Sequence, residues 1–408
     1  MDKKPNVKSL KPTAFAGMMA ARLKAVAAAS DAPVPDLYDY PANRLARELH
    51  PAVQFLKVEA IDAHSPDMKT YTLAPDKAKG TTSLAWFSAG QYLVLGVNVD
   101  GKFRSRPYSI SSSPAETLEG HYRLTVKRVP GGAVSGFILD TWQVGDAVTA
   151  SAPMGDFTYS RLRDAKTVIG IAGGSGITPF YSFAKAIAEG DEDFELTLLY
   201  GSRTLADAVF SDEIKALAEA CPKIRLVNVL SDEKRKPKGA EKGFITAELI
   251  KKYAPAEGDY SVFLCGPQAM YTFVDKELEK LSLRRKFIRH ELFGEYFHPE
   301  QNADYPADAA GKTFRLTVRI AGKEQTVDCA ADTSLLRAME AAGITAPADC
   351  RSGKCGWCHS QLLAGEVYVP ESVDGRRQAD KLYGYVHPCC TFPLSDVTID
   401  VPPVHYGK

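Results

Sequence analysis

Five of the eight cysteines of this 408-residue chain fall within its last sixty residues. Cys350-Arg-Ser-Gly-Lys-Cys355-Gly-Trp-Cys358 spells C-x4-C-x2-C, and an adjacent pair follows at Cys389 and Cys390. The N-terminus makes a poor secretory signal, because its Ala/Met stretch after Thr13 is broken by Arg22 and Lys24. In such a chain, clustered cysteines point to a metal before disulfides. Three thiolates on one tight loop with a distant fourth match the plant-type [2Fe–2S] ligand spacing. Gly353 and Gly356 let the loop fold back so that backbone N–H groups can face the sulfurs. A four-cysteine zinc site permits the same spacing. Cys221 and Cys329 stand alone in apolar or strand-like surroundings and read as buried thiols.

The chain is too long for one core, and its pattern changes along its length. Residues 1–50 read as a helical extension, with one helix near 14–29 and another after Pro41. Residues 51–160 carry short alternating runs, such as Phe55–Ile61, Gln91–Leu95 and Tyr122–Val126, separated by Gly, Pro, Asp and Ser. This spacing predicts an antiparallel β-barrel or sandwich. Across 161–296, apolar runs at 167–172, 195–200, 224–230 and 260–264 alternate with helical stretches, predicting an α/β domain with a parallel sheet. Residues 297–312 read as a linker, broken by Pro299, Pro306 and Gly311. Residues 313–408 open with two strands and a helix at 334–342 ahead of the cysteine loop. Lys and Arg number 50 and Asp and Glu also 50, so no charge pattern suited to nucleic acid or an anionic membrane appears. No apolar run approaches the ~20 residues of a membrane span. A cytoplasmic location is expected.

Two further motifs carry chemistry. Arg106-Pro107-Tyr108-Ser109 ends a predicted strand of the barrel. It offers a cation for a phosphate, an aromatic face for a ring and a hydroxyl donor, the set a flavin needs. Lys127 precedes a glycine turn, Gly132-Ala133-Val134-Ser135, that opens an apolar helical stretch and can cradle a pyrophosphate. After the first parallel strand comes Gly173-Gly174-Ser175-Gly176-Ile-Thr178-Pro, a glycine loop leading into a helix and suited to dinucleotide phosphates. Pro179 replaces the third glycine of the usual fingerprint. Cys265-Gly266-Pro267 ends the last predicted strand on the ligand side of the sheet, and Ser202-Arg203 follows the second strand, where a ribose or 2′-phosphate belongs.

Taken in this order, the motifs resemble the ferredoxin–NADP reductase superfamily, and 313–402 resembles the ferredoxin β-grasp fold. The domain order resembles the reductase components of phthalate-type dioxygenases and of phenylacetyl-CoA epoxidase. The resemblance implies Arg106 on the flavin phosphate, Tyr108 stacked on the ring, Ser109 near N5 and the 132–135 turn on the pyrophosphate. It implies Cys265 beside the nicotinamide and Phe293 shielding the flavin as catalytic residues. It also implies FAD rather than FMN, with NADH or NADPH as substrate. Cys389 becomes the fourth cluster ligand, since the Thr-Phe-Pro run after the pair resembles the segment after the last ligand of plant ferredoxins. The implied activity is hydride acceptance by flavin followed by single-electron delivery through the cluster to a protein, such as an oxygenase. Two alternatives stand beside it. One is a redox-sensing or scaffold relay subunit; the other is a simple flavin reductase with a zinc-bearing C-terminal module.

Overall fold

A computed structural model describes residues 12–29, 40–235, 237–292 and 294–404. The chain forms two compact units, residues 1–49 and 50–408. The first holds α1 (Pro12–Ala29) and α2 (Pro41–Leu49). Both helices start at a proline, whose fixed φ suits a first helical turn. Met18, Met19, Leu23 and Val26 of α1 and Leu45 and Leu49 of α2 are exposed.

The second unit contains three sheets. β1 (Gln54–Ser65), β2 (Met68–Pro75), β3 (Tyr92–Val99), β4 (Lys102–Ser109), β5 (Tyr122–Lys127) and β6 (Ala147–Ala150) form one antiparallel sheet in the order β4-β3-β6-β1-β2-β5. Alternation along β1 puts Leu56 and Val58 in the core and Lys57 and Glu59 in water. The two edge strands meet through an Ile110–Leu124 bridge and a Ser111 N–H bond to the Arg123 carbonyl, so the sheet curls shut as the turn spacing predicts. Helix α3 (Ala133–Thr141) lies between β5 and β6 in sequence and buries Val134, Ile138 and Leu139 in the barrel core.

The second sheet is wholly parallel. It runs β10-β9-β8-β7-β11-β12, built from β7 (Thr167–Gly173), β8 (Glu195–Ser202), β9 (Ile224–Leu230), β10 (Glu241–Lys242), β11 (Tyr260–Cys265) and β12 (Ile288–Glu291). Its central strands are near-continuous apolar runs, because α4 (Thr178–Glu189), α5 (Ser211–Ala220), α6 (Ala247–Tyr253) and α7 (Gln268–Glu279) follow strands and cover the faces. Pro179 starts α4, and Gly190 ends it in the left-handed conformation.

The third sheet is mixed, ordered β14-β13-β19-β15-β17, from β13 (Thr313–Ile320), β14 (Lys323–Ala330), β15 (Ser360–Ala364), β17 (Tyr385–Val386) and β19 (Val397–Asp400); β16 (Val367–Tyr368) and β18 (Phe392–Pro393) pair separately. Helix α8 (Leu335–Ala341) is capped by the Ser334 hydroxyl, which accepts from the Arg337 N–H at 3.3 Å, and it packs into the same core as β13 and β19. A short α9 (Gln378–Leu382) precedes β17. A hairpin, a helix and a parallel pairing of β13 with β19 are the elements of a β-grasp. The stretch expected as a linker is packed rather than loose. Tyr305 and Ala309 are buried against Tyr368 and Phe392, and the Tyr305 hydroxyl donates to the Ala331 carbonyl at 3.2 Å.

Candidate functional site

The cysteine loop holds its sulfurs by backbone donors. Cys355 N–H points at the Cys350 sulfur (3.3 Å), Ser352 N–H at the same atom (3.5 Å), and Trp357 N–H at the Cys355 sulfur (3.4 Å). Gly353 permits this turn. It stands at φ +78°, and a β-carbon there would lie 2.1 Å from the Val373 carbonyl oxygen. Across the loop the Cys358 and Cys389 sulfurs are 3.4 Å apart, whereas the Cys390 sulfur turns to the Val373 and His387 carbonyls. The four thiols thus stand as two pairs, 350 with 355 and 358 with 389. Two thiolates for each of two irons is the donor set a [2Fe–2S] cluster requires.

On the barrel, β4 alternates. Ser105, Pro107 and Ser109 are buried on one face, and Arg104, Arg106 and Tyr108 are half-buried on the other. The Arg106 guanidinium donates to the Ser105 carbonyl at 2.7 Å and lies 3.6 Å from both Glu295 and Glu340. Burial pushes the Tyr108 hydroxyl well above its ordinary pKa, keeping it neutral. Helix α3 begins at Gly132 with no side-chain cap, so the N–H groups of its first turn are free for an anion. The Ser135 hydroxyl accepts from the Val129 N–H at 3.0 Å and so holds the turn closed. Lys127 extends from β5 toward the nucleotide loop, its Nζ 3.4 Å from where a β-carbon on Gly174 would sit.

In the parallel sheet the glycine loop and the Cys-Gly-Pro turn interlock. A β-carbon on Gly176 would lie 2.1 Å from the Cys265 carbonyl oxygen, and one on Gly173 would strike Met270 at 2.4 Å beside Pro267. Only glycine lets these two backbones approach so closely. Thr178 caps inward, donating to the Ser175 carbonyl at 3.0 Å. Ser202 ends β8, its carbonyl bonded to Ser231 N–H at 3.0 Å. Arg203, beside it, donates from Nε to Asp232 at 2.9 Å.

The cysteine loop meets the other two domains at a cleft of about 630 Å³, lined by Tyr92 and Met154–Phe157 of the barrel, Ile288–Leu292 of the parallel sheet, and Cys350, Lys354, Cys355 and Trp357; Arg106, Tyr108, Lys127, the 132–135 turn and the Gly173–Gly176 loop are not among its lining residues. Ser109 and Cys265 stand one strand behind its walls. Ser109 pairs with Tyr92 across β3–β4, and Cys265 with Glu291 across β11–β12. Phe293 lies outside the described residues. Sequence reading missed the wall residues Tyr92, Lys354 and, above all, Glu291. Burial raises the Glu291 carboxyl well above the usual range, with Lys354 partly opposing it. The same burial, with Glu291 nearby, keeps the Cys265 thiol protonated. The sequence carried little signal for Glu291: β12 reads Ile-Arg-His-Glu, and the residue is seen to be a buried carboxyl only once β12 is known to flank β11.

Family models of an oxidoreductase FAD-binding domain, an oxidoreductase NAD-binding domain and a 2Fe-2S iron-sulfur cluster binding domain match residues 55–159, 171–276 and 318–394. The ferredoxin reductase component of 3-ketosteroid-9-alpha-monooxygenase from Mycobacterium tuberculosis is 31% identical over 315 residues, covering 76% of this chain and 84% of that one. The chain belongs to the three-domain flavin and iron–sulfur reductases. Within that family, the glycine betaine monooxygenase reductase subunit of Chromohalobacter salexigens is 27% identical across 82% of this chain and 91% of its own. The solved structure of phthalate dioxygenase reductase superposes with a TM-score of 0.59 at 25% identity, covering 86% of this chain and 98% of that one. The chain is therefore an NAD(P)H-dependent oxidoreductase built on FAD, NAD and [2Fe–2S] domains, a reductase component that hands single electrons to a protein acceptor. The cluster-domain match displaces the zinc reading. No helix among the described residues is long and apolar enough to cross a membrane.

Proposed function

We propose that this chain is the NADH-dependent reductase of an oxygenase system, acting in the cytoplasm. The convergence of barrel, parallel sheet and cysteine loop on one cleft carries the reading, since electrons must cross all three. Bound, the flavin accepts a hydride and releases its electrons one at a time, and the cluster carries them singly. The residues of the chain bind, orient and seal. Arg106, Lys127 and the first turn of α3 hold the flavin phosphates, Pro107 and Tyr108 shape the ring's wall, and Ser109 offers its hydroxyl at the strand end. Gly173–Gly176 and Gly266–Pro267 admit the dinucleotide backbone, Thr178 fixes the loop, and Cys265 packs as a neutral thiol against the nicotinamide. Glu291 lines the cleft with a carboxyl whose pKa burial raises. Cys350, Cys355, Cys358 and Cys389 ligate the cluster. The domain limits are 51–160, 161–296 and 313–408, with Phe293 as the flavin shield.

NADH over NADPH is supported by Asp232, whose carboxylate sits on Arg203 beside Ser202 and would oppose a 2′-phosphate. The oxygenase partner is supported by the names of the monooxygenase relatives, and the cytoplasm by a ligand set of free thiols. An anaerobic titration with NADH or NADPH, followed by absorption, tests the path. Flavin and cluster bands should both bleach with NADH. A flavin-only spectrum from iron-replete cells would end the reading. Cys355→Ser should abolish cytochrome c reduction and spare flavin reduction by NADH.

A further inference from the structure

The four cluster ligands do not all face the same way. Cys350 and Cys355 line the cleft toward the barrel and the parallel sheet, whereas Cys358 and Cys389 are not among its lining residues and are buried. On their side the chain builds a second connection to the surface. Cys358 is followed directly by His359, whose ring stacks on Tyr385 with centroids 4.1 Å apart and planes 9° from parallel. His359 Nε2 lies 3.0 Å from the Asp380 carboxylate of α9. The end of the cysteine loop is thereby tied to α9 and to β17, the edge strand of its sheet.

The outer surface of this corner has the make-up of a contact face. Leu382 and Tyr383, at the end of α9, are exposed. Along β15 Ser360 is buried, and alternation turns Gln361 and Leu363 outward. The Leu362 N–H bonds to the Gly384 carbonyl at 2.8 Å, which carries the β15–β17 pairing forward and brings Leu363 to the Tyr383 end of it. Beside these apolar groups stand Arg377 and Lys381, their side chains 80% and 52% exposed. The carboxylates that they bind, Asp380 and Asp374, are only 6% and 10% exposed. An approaching protein therefore meets the cation heads before the carboxylates beneath them. Tyrosine and leucine with an arginine beside them are what a protein contact draws on. Leu363, Arg377, Lys381, Leu382 and Tyr383 are all absent from the cleft lining. Trp357 is exposed too, but it lines the cleft, and a protein seated on it would cover that cleft.

We propose that the corner formed by α9, β17 and the end of β15 is the docking surface for the protein acceptor, and that the acceptor presents an acidic patch around its redox centre. The inference rests on the electron path through the cluster and adds the side on which the electron leaves. Entry and exit then use opposite sides of the cysteine loop, so the acceptor can bind while the barrel and the parallel sheet hold the other side.

The test uses the cofactor-loaded full-length chain with NADH and two haem proteins, the acidic cytochrome b5 and the basic cytochrome c. Each takes one electron per haem, supplied by NADH. Removing both cations, Arg377→Gln with Lys381→Gln, should raise the KM for cytochrome b5 about threefold to tenfold and lower that for cytochrome c. Iron content and ferricyanide turnover should not change. The wild-type KM for cytochrome b5 should rise with salt, and the double variant should flatten that dependence. A merely structural effect would move both KM values the same way. Changes in the same direction, or no change, would overturn the proposal. A wild-type dimer that Tyr383→Ser dissociates would overturn it as well, because the corner would then join two copies of this chain. A Cys355→Ser chain that reduces cytochrome b5 at the wild-type rate would instead overturn the cluster path beneath the proposal.

Discussion

Glu192 is a carboxyl with no role in the chemistry and a cost to the fold. It sits in the turn after α4, and burial raises its pKa from 4.5 to about 7, partly opposed by Arg161. A carboxyl whose folded pKa is raised binds more protons folded than unfolded, so stability falls as pH climbs from about 4.5 through about 7 and the penalty is complete above that. Glu192→Gln should therefore stabilise the chain by about 1–2 kcal/mol at pH 8 and by almost nothing at pH 4. Thermal melts at both pH values check it, and a gain equal at both would show that the penalty is not electrostatic. The Arg203–Asp232 pair makes a second prediction at this scale. Asp232→Ser frees the Arg203 guanidinium, so the ratio of kcat/KM for NADPH to that for NADH should rise about tenfold. A drop in both rates without a change in ratio would place the ribose elsewhere.

At the scale of elements, the cysteine loop rests on glycine geometry. Any side chain at Gly353 would meet the Val373 carbonyl and need a positive φ as well. Gly353→Ala should leave the barrel and its flavin intact while iron per chain falls by more than half. A full complement of iron in that variant would mean the loop can relax. The turn of this loop was legible in the sequence because its cysteines and glycines are neighbours in the chain. The strands of the barrel and the central parallel strands were legible for a similar reason, since their periodicity is local; β7 was expected at 167–172 and spans Thr167–Gly173. The elements that escaped are those specified by what they pack against. β10 has two residues and β12 four, and neither is long enough to carry a period. Glu291 lies on β12, so the buried carboxyl of the cleft went unseen with it. The segment at 297–312 misled through its prolines, which mark a break in periodicity but say nothing of Tyr305 reaching the Ala331 carbonyl. Arg351 binds Glu295, 56 residues away in the chain, and Glu340, 11 away. An arginine beside a cluster cysteine gives no hint of such partners.

The whole molecule divides its labour between a reductase unit, residues 50–408, and an N-terminal unit outside all three family matches, the first of which begins at residue 55. The described helices of that N-terminal unit leave Met18, Met19, Leu23, Val26, Leu45 and Leu49 exposed. Six large apolar side chains in water on so short a segment are a liability unless another surface covers them for part of the catalytic cycle. The reductase unit already contains the cleft, the glycine loops and the cluster cysteines, so electron flow to a small acceptor needs nothing from residues 1–45. Only delivery to a large protein has use for an added surface. Deleting residues 1–45 should therefore leave NADH–ferricyanide turnover within about twofold of the full chain, because no group in the cleft is lost. The KM for the protein acceptor should rise about tenfold, the cost of roughly 1.4 kcal/mol of apolar contact. Steady-state rates with ferricyanide and with the purified acceptor separate the two effects. Equal loss of both activities would assign the helices to the stability of the reductase unit, and a melting curve of the truncated chain would then show the drop directly.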